Sequence, residues 1–244
     1  MAADITARVR LTARERARAE ITGEIKDEAR RQLATTGAQL SLRGVARELG
    51  MVSSALYRYF PSRDDLLTAL IIDAYDALAS AAEAADAAAA APPGATARDR
   101  WRACCEAIRG WAIAHPHEYA LIYGSPVPGY HAPPDTIAHA ARVASVLGAL
   151  LQGAHASDGD RSNSNSATGG PGLPGRLAAQ AELVAAAVAP GVAPDVAARG
   201  LIAWTQLFGM ISFELFGQFV GTADPADDFF SYAIDQTATL AGLP

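Results

Sequence analysis

Two short helical patterns joined by a glycine, within residues 41–66, constrain the fold more than any other part of the chain. Apolar residues of the first pattern recur at the spacing of one buried helix face: Leu42, Val45, Ala46 and Leu49. Ser41 is positioned to cap this helix, and Gly50 follows it where the chain has to reverse through a left-handed residue. The second pattern covers residues 53–59 and turns Leu56 inward. Together the two patterns predict a helix-turn-helix.

The outward face of the second helix carries hydroxyl, aromatic and guanidinium groups and no carboxylate: Ser53, Ser54, Tyr57, Arg58 and Tyr59. Such side chains contact the phosphates and base edges of DNA. Charge is also divided along the chain, because residues 1–60 contain 11 basic and 7 acidic residues while the whole chain has a net charge of −6. A basic amino end on an acidic body favours a nucleic-acid-binding module over the alternative, an ordinary helical hairpin.

Apolar residues keep a helical spacing through the rest of the 244-residue chain, and half of all residues are hydrophobic. We therefore predict an all-α protein with two domains. A helix-turn-helix domain covers residues 1–61, with a basic arm at 1–11, and a larger helical domain covers residues 62–244. Residues 154–175 are almost all small, polar, Gly or Pro, and we predict a flexible loop there.

The chain shows no signal peptide, and its two cysteines, Cys104 and Cys105, are adjacent and suit a reducing compartment. We therefore expect a cytoplasmic protein. Neither cysteine has a histidine at metal-ligand spacing, so we interpret both as core residues and expect neither a metal nor a cofactor. No catalytic triad or phosphate-binding loop stands at a recognisable spacing, which argues against an enzyme.

Residues 200–221 contain a single charged residue, Glu214, and are long enough to cross a bilayer. Several polar side chains in this stretch would be costly in lipid, and no other segment looks comparable, so we predict a buried helix and no membrane contact. Asp224 and Pro225 are expected to open a final helix as its cap and first residue.

In order and spacing, residues 45–66 resemble the DNA-binding domain of the TetR family of transcriptional regulators. The matching landmarks are Val45-Ala46, the turn glycine, Leu-Tyr-Arg-Tyr-Phe at 56–60 and Arg-Asp-Asp-Leu at 63–66. Family members often have Ser or Thr two residues after the turn glycine, where this chain has Val52. We expect Ser53 to cap the recognition helix instead, which would shift the base-facing register by one residue.

This resemblance implies a set of DNA-binding residues, with phosphate contacts from Tyr57, Tyr59 and Arg63 and base contacts from Ser53, Ser54 and Arg58. Ser41 and Arg43 join the set from the preceding helix. The family resemblance further implies a homodimer that binds a pseudo-palindromic operator in double-stranded DNA. Binding of a hydrophobic small-molecule effector would release this repressor from the operator. The alternatives are a ligand-binding helical dimer without sequence-specific DNA binding and a helical enzyme.

The C-terminal part resembles a TetR subgroup whose effector domain is marked by Trp-x-x-x-His-Gly. Trp204 and Gly209 match this spacing, but Phe208 stands where the histidine is expected. Relatives in the subgroup hold elongated apolar ligands such as fatty acyl compounds, so the implied effector is fatty acyl or lipid-like. The predicted ligand-binding residues are Trp101, Trp111, Tyr119, Tyr123, Phe208 and Phe213. Dimerisation through the last two helices is predicted to use Leu201, Ile211, Leu215, Phe230 and Ile234.

Overall fold

A computed structural model of the chain describes residues 12–36, 40–159 and 172–243. Within these residues the regular structure is helical throughout, which confirms the predicted all-α fold. The helices in chain order are α1 (Ala13–Thr36), α2 (Leu42–Glu48), α3 (Ser53–Leu56), α4 (Arg63–Ala90), α5 (Ala97–Ala114), α6 (Pro116–Tyr123), α7 (Thr136–Gly159), α8 (Gly175–Val188), α9 (Pro194–Leu215) and α10 (Asp227–Leu240). The predicted basic arm at residues 1–11 lies outside the described residues.

These helices divide into two compact units, unit 1 with residues 1–70 and 127–131 and unit 2 with residues 71–126 and 132–244. The change of unit falls inside α4, after Leu70, whereas the sequence pattern divides the domains between residues 61 and 62. The first turns of α4 belong to unit 1, where Arg63 donates from Nε to the carbonyl oxygen of Leu40 at 3.0 Å.

In unit 1, local signals account for where the helices begin. The predicted capping box opens α1, because Thr12 and Glu15 exchange hydrogen bonds of 2.7 and 3.2 Å between their side chains and backbone N–H groups. The apolar stripe that follows contributes Ile25, Ala29 and Leu33 to the core of the unit. Helix α1 thus supplies the support on which α2 packs, and α2 in turn contacts α3.

In unit 2, α5 contributes fully buried side chains, among them Trp101 and Ile108, and packs against α7, α9 and α10. Cys104 and Cys105 are fully buried in this core. Burial raises the pKa of Cys104 to about 12 and raises that of Cys105 well above its ordinary value. Both thiols are therefore protonated at neutral pH and act as small apolar residues.

An ion-pair cluster joins three helices of the same unit. Arg109 of α5 donates to both carboxylate oxygens of Glu214 on α9, at 2.6 and 2.7 Å, and to Asp227 on α10 at 3.0 Å. Its guanidinium also lies 4.9 Å from the centre of the Phe230 ring. The hydrogen bond with Glu214 contributes most to raising the pKa of Arg109 above its ordinary value. Glu214, the single charge of the apolar stretch, is therefore a structural partner.

Three predicted boundaries in unit 2 are wrong. Helix α7 continues to Gly159, so residues 154–159 are helical and the predicted loop over 154–175 begins later; residues 160–171 lie outside the described part. Helix α9 covers 194–215 rather than 200–221, because the chain adopts left-handed glycine conformations at Gly217 and Gly221, with φ of 76° and 77°.

The third error concerns the start of α10. Ala226 occupies its N-cap position, and the helix begins at Asp227, so Asp224 and Pro225 precede it as an irregular segment with a cis peptide bond. Helix α8, for which no pattern was predicted, occupies Gly175–Val188.

Two helices, Thr136–Ala156 and Pro194–Leu215, are long and apolar enough to cross a membrane when judged by length and composition alone. The expectation that no other segment is as long and apolar as residues 200–221 was therefore wrong. Core helices of soluble proteins pass the same test, and both helices here contribute buried side chains to the core of unit 2.

Candidate DNA-binding surface and apolar cavity

The helix-turn-helix is held by short-range hydrogen bonds. Ser41 caps α2 as predicted, since its Oγ accepts a hydrogen bond of 3.1 Å from the backbone N–H of Gly44. Gly50 has a φ of 64°, and the next residue donates its N–H back to the carbonyl of Ala46 at 2.8 Å. This left-handed closure ends α2 and sets the direction of α3.

The recognition helix α3 is short, and its cap differs from the prediction. Val52, not Ser53, occupies the N-cap position, and no side chain caps the helix. The capping role predicted for Ser53 is therefore wrong: this residue is the first of the helix. Its hydroxyl, like that of Ser54, is exposed, and Val52 is 70% exposed beside them. Leu56, fully buried, anchors the opposite face of α3.

The outward side chains that follow α3 differ in how accessible they are. Tyr57 is 43% exposed and Arg58 is exposed, whereas Tyr59 is half-buried. Arg18 of α1 covers Tyr59, with its guanidinium 5.1 Å from the ring centre, and donates to the carbonyl oxygen of Arg58 at 3.2 Å. Arg18 thus adds a cation beside the recognition helix.

Two further predicted DNA contacts lie at the starts of helices. Arg43 is exposed on α2. Arg63 uses its Nε for Leu40 and has its Nη1 3.5 Å from Asp64, so part of its guanidinium serves the fold. The Ser62 hydroxyl donates to the carboxylate of Asp65 at 2.7 Å and accepts a hydrogen bond of 3.1 Å from the backbone N–H of Asp65. Asp64 and Asp65 make the first turn of α4 acidic, and repulsion by their carboxylates disfavours phosphate binding there.

Unit 2 contains an apolar cavity of about 290 Å³ between α5, α7, α8 and α9. Its described lining consists of aliphatic, small and indole side chains: Trp101, Ala144, Leu147, Gly148, Leu151, Val184, Ala185, Ala187, Val188, Ala189, Ala197, Gly200, Leu201 and Trp204. Two glycines let the helices approach closely, since a Cβ on Gly148 would lie 2.1 Å from the carbonyl oxygen of Val188. A Cβ on Gly200 would lie 2.5 Å from Leu151.

Of the six predicted ligand-binding residues, the structure places Trp101 in this lining and the other five elsewhere. Tyr123 and Phe208 form an aromatic cluster with Trp204, in which Phe208 has ring-centre distances of 4.2 Å to Tyr123 and 4.4 Å to Trp204. Tyr119 joins it at 5.3 Å from Tyr123 and donates its hydroxyl proton to the carbonyl oxygen of Phe208 at 3.0 Å. Burial raises the pKa of Tyr119 to about 12. These rings pack against one another in the core of unit 2.

The remaining two aromatic residues lie away from the cavity lining. Trp111 is half-buried and stacks on His115, with ring centres 5.0 Å apart. Phe213 is 54% exposed and meets Phe219 edge to face. What sequence reasoning missed was the part played by small residues, which alternate with Leu and Trp on α7 and α9. Their helical spacing was a usable signal, but it does not reveal between which helices a cavity is left.

The predicted dimerisation residues also separate. Ile211, Phe230 and Ile234 are buried in the core of their own chain, so they cannot form a surface that meets a partner. Leu215 is half-buried, and Leu201 is exposed at the cavity. The exposed apolar side chains of α9 and α10 lie on the other faces of these helices: Ile202, Phe213, Phe229, Tyr232 and Leu240. Burial therefore contradicts three of the five predicted dimerisation residues, and the prediction for Leu201 and Leu215 stays a prediction.

An ion network connects α7 with α4 inside unit 2. Arg142 donates to Glu83 at 2.5 and 2.7 Å and to Asp76 at 3.2 Å, and Asp76 also accepts from Nδ1 of His139 at 2.8 Å. Burial alone would raise the pKa of Asp76, but His139 and Arg142 together lower it below its ordinary value. The hydrogen bond from Arg142 likewise lowers the pKa of Glu83. The helix that contributes a wall of the cavity is thus tied to the helix that starts at Arg63.

Two family descriptions match the sequence of this chain. "Bacterial regulatory proteins, tetR family" matches residues 25–70, which include the helix-turn-helix. "Tetracyclin repressor-like, C-terminal domain" matches residues 101–237, which include α7, α8, α9 and most of α5, the helices around the cavity.

Relatives of similar length agree with these matches. HTH-type transcriptional regulators of Mycobacterium bovis and Mycobacterium tuberculosis are 40% identical to this chain over 220 residues, covering 86% of it and 87% of each relative. The crystal structure of the regulatory protein SCO4313 superposes with a TM-score of 0.73 at 36% identity, covering 93% of this chain and 98% of that one. A protein of unknown function from Rhodococcus sp. RHA1 shares the fold, with a TM-score of 0.65, 23% identity and coverage of 98% and 99%.

Proposed function

The chain belongs to the TetR family of bacterial helix-turn-helix transcriptional regulators, and we propose that it is a ligand-responsive repressor. In this proposal a homodimer binds a pseudo-palindromic operator in double-stranded DNA, and a hydrophobic small molecule releases it. The observation that carries the proposal is the outward face of α3 and the turn after it, which presents Ser53, Ser54, Tyr57 and Arg58 without a carboxylate. Such a regulator works in the cytoplasm, where the chromosome is.

Each subunit would place α3 in a major groove, with the two half-sites about 34 Å apart, one turn of DNA. Arg58 can donate two hydrogen bonds to a guanine edge, and the serine hydroxyls can reach either kind of base or a phosphate. Tyr57, exposed beside them, would hold the sugar-phosphate backbone. We assign Tyr59 a supporting role, because Arg18 covers its ring and supplies the nearby positive charge.

The exposed apolar faces of α9 and α10 support the dimer. Phe229, Tyr232 and Leu240 stand on one side of α10, and Ile202 and Phe213 on one side of α9. A twofold axis beside these helices would bury both faces in a four-helix bundle. Isolated apolar residues on a surface are ordinary, but a row of them along two adjacent helices marks an interface.

The cavity supports the ligand response. A molecule bound there contacts α7, and Arg142 and His139 of α7 hold Asp76 and Glu83 of α4. A shift of α7 would therefore act on the helix that begins at Arg63. The ligand can change DNA affinity only if it binds the two arrangements of these helices with different affinities.

We further propose that the C-terminal domain belongs to the subgroup marked by Trp-x-x-x-His-Gly. Trp204 and Gly209 stand at the expected spacing. The Phe208 ring packs between Trp204 and Tyr123, so an apolar ring stands where the subgroup has its polar histidine. This replacement is consistent with an apolar effector.

Fluorescence anisotropy with DNA from upstream of the chain's own gene tests the proposal. We expect tight binding to one duplex at physiological salt, weaker and strongly salt-dependent binding to a scrambled duplex, and two subunits per site. A protein that binds both duplexes equally would be a helical ligand-binding protein without operator recognition.

Analytical ultracentrifugation tests the dimer in the same samples. The wild-type protein should sediment as a dimer at micromolar concentration, and the double variant Phe229→Asp, Tyr232→Asp should sediment as a monomer with weakened operator binding. The matched control Leu183→Asp changes an exposed leucine of α8. A wild-type monomer bound to a single half-site would overturn the two-subunit proposal.

A further inference from the structure

Val52 is a hydrophobic side chain on the surface that is proposed to bind DNA. In the part of unit 1 that the structure describes, two large hydrophobic side chains are exposed, Val52 at 70% and Tyr57 at 43%. Both belong to the segment that also presents the hydroxyls of Ser53 and Ser54. A single exposed apolar side chain is ordinary on a protein surface. Here both lie in one short segment, so the proposed DNA-binding surface has an apolar part as well as a polar one.

The stability of the fold does not account for a valine at this position. Val52 is the N-cap of α3, with an extended backbone (φ −69°, ψ 136°), and its carbonyl oxygen accepts a hydrogen bond of 2.9 Å from the N–H of Ala55. No side chain caps the helix, since an isopropyl group lacks the oxygen that the residues preferred at an N-cap supply. The exposed side chain also buries little apolar surface within its own chain. Contacts inside the chain therefore give no reason for valine, whereas a contact with DNA would.

The position of Val52 at the start of α3 determines what it can touch on DNA. In a helix-turn-helix bound to DNA, the N-terminal residues of the recognition helix contact base edges in the major groove. The apolar group that this groove presents is the C5-methyl group of thymine, which apolar side chains contact. A β-branched side chain is stiff at χ1, so Val52 loses little rotamer freedom when it makes such a contact.

We propose that Val52 contacts the C5-methyl group of a thymine in each half-site of the operator and thereby selects that base. This inference rests on the proposed function, and it deepens that function by naming a specificity-determining residue and its base. Serine at the same position would offer a hydroxyl, which can hydrogen-bond to either kind of base. Valine instead makes the chain prefer a base that carries a methyl group over one that does not.

Replacement of thymine by deoxyuridine tests the proposal, because this change keeps the base pairing and removes only the C5-methyl group. The full chain first selects its preferred duplex from a library of random-sequence DNA, and each symmetry-related pair of thymines is then replaced in turn. We expect one pair whose replacement lowers the affinity about 15-fold, since each buried methyl group contributes about fourfold. Fluorescence anisotropy at physiological salt measures these affinities.

Two valine variants locate the contact. Val52→Ser removes the isopropyl group and should bind the thymine and deoxyuridine duplexes of that pair equally well. Serine is favoured at an N-cap, so we expect α3 to keep its fold in this variant. Val220→Ser makes the same substitution at a valine of unit 2 that is 72% exposed, and it should keep the wild-type preference. Because each preference is a ratio measured on one variant, a general loss of affinity would not imitate this result.

A second measurement uses the wild-type protein alone. When a C·G pair replaces T·A at the same two positions, cytosine and 5-methylcytosine differ by the same C5-methyl group. Both duplexes lack the preferred base, but the methylated one should bind about 15-fold more tightly than the unmethylated one.

The inference is overturned if no deoxyuridine replacement weakens binding, if Val52→Ser keeps the thymine preference, if Val220→Ser loses it, or if 5-methylcytosine binds no better than cytosine. In each of these cases the chain still binds its selected duplex, so the proposed function stands. A chain that selects no duplex contradicts the proposed function, and the inference falls with it.

Discussion

The surface proposed to bind DNA and the cavity proposed to bind an effector are built in opposite ways. The first is a stretch of consecutive residues, from Ser53 to Arg58, positioned by the left-handed Gly50 just before it and by the Ser41 cap of the preceding helix. The second is an empty space whose lining spans Trp101 to Trp204 and comes from four helices. One is a set of outward side chains on a local scaffold, and the other exists because distant backbones meet at Gly148 and separate elsewhere.

The two regions therefore differ in which substitutions abolish their proposed binding functions. A local surface loses affinity when its own side chains are removed, while the fold of the unit stays intact. A cavity between helices can be lost through a change at a residue that no ligand touches.

The largest effect is expected at the local surface. The double variant Tyr57→Ala, Arg58→Ala should lower operator affinity by about 100-fold or more, because a phosphate contact and a base contact are both removed. Helical content and melting temperature should stay near those of the wild type, since both side chains are exposed. Anisotropy titrations measure this, with Arg176→Ala in unit 2 as the control. Unchanged affinity would remove α3 from the DNA interface.

A smaller but global effect is expected where the cavity walls meet. Gly148→Ala places a Cβ against the carbonyl of Val188, and we expect the free energy of unfolding to fall by about 1–3 kcal/mol. Gly110→Ala, in α5, is the control: nothing lies within 4 Å of its added Cβ. That variant should gain about 0.5–1 kcal/mol, because alanine favours a helix. Urea unfolding curves measure both free energies. Equal changes in the two variants would contradict a tight α7–α8 contact.

Coupling between the two regions should depend on Arg142. Arg142→Ala removes the hydrogen bonds from α7 to Asp76 and Glu83. Because Arg142 belongs neither to the cavity lining nor to the proposed DNA-binding surface, ligand affinity and operator affinity should each stay close to the wild type. The ligand-induced loss of operator affinity should shrink about fivefold. Anisotropy titrations with and without an uncharged apolar probe, pentylbenzene, measure it, with Ser145→Ala as a control on the same helix. Full release in Arg142→Ala would assign the coupling to other contacts.

The smallest effect concerns pH. Hydrogen bonds and charges from His139 and Arg142 hold the pKa of Asp76 below its ordinary value of 3.8, and Arg142 holds that of Glu83 below 4.5. Lowered carboxyl pKa values contribute stability that is complete above those ordinary values and lost as pH falls through the folded-state values. Melting temperature should therefore decline below about pH 4, and less steeply in Arg142→Ala, with a modest difference because the groups are partly exposed.

Predictions from sequence succeeded where a pattern is local. The capping box at Thr12 and Glu15, the cap at Ser41 and the turn at Gly50 all depend on neighbours within five residues. The predicted capping role of Ser53 was wrong even though it is local. The chain enters α3 through Val52 in an extended conformation, which the residue types alone did not specify.

Aromatic residues were a poor guide to the cavity. The rings of Tyr119, Tyr123 and Phe208 pack against one another, and the Tyr119 hydroxyl donates to the backbone of α9. These residues therefore belong to the packed core. Three of the five predicted dimerisation residues proved to be buried for a related reason. Phe230 and Phe229 are adjacent and equally apolar in sequence, and their burial depends on where α5 and α9 pack against α10.

The sequence by itself determined the helical fold, the helix-turn-helix and the family, because helix periodicity, caps and turn glycines are encoded over short distances. The tertiary structure decided which apolar residues face the core, which face solvent and where space is left between helices. Those outcomes depend on the relative positions of helices far apart in sequence. An apolar residue can be buried on any side, so its identity cannot specify the partner that covers it.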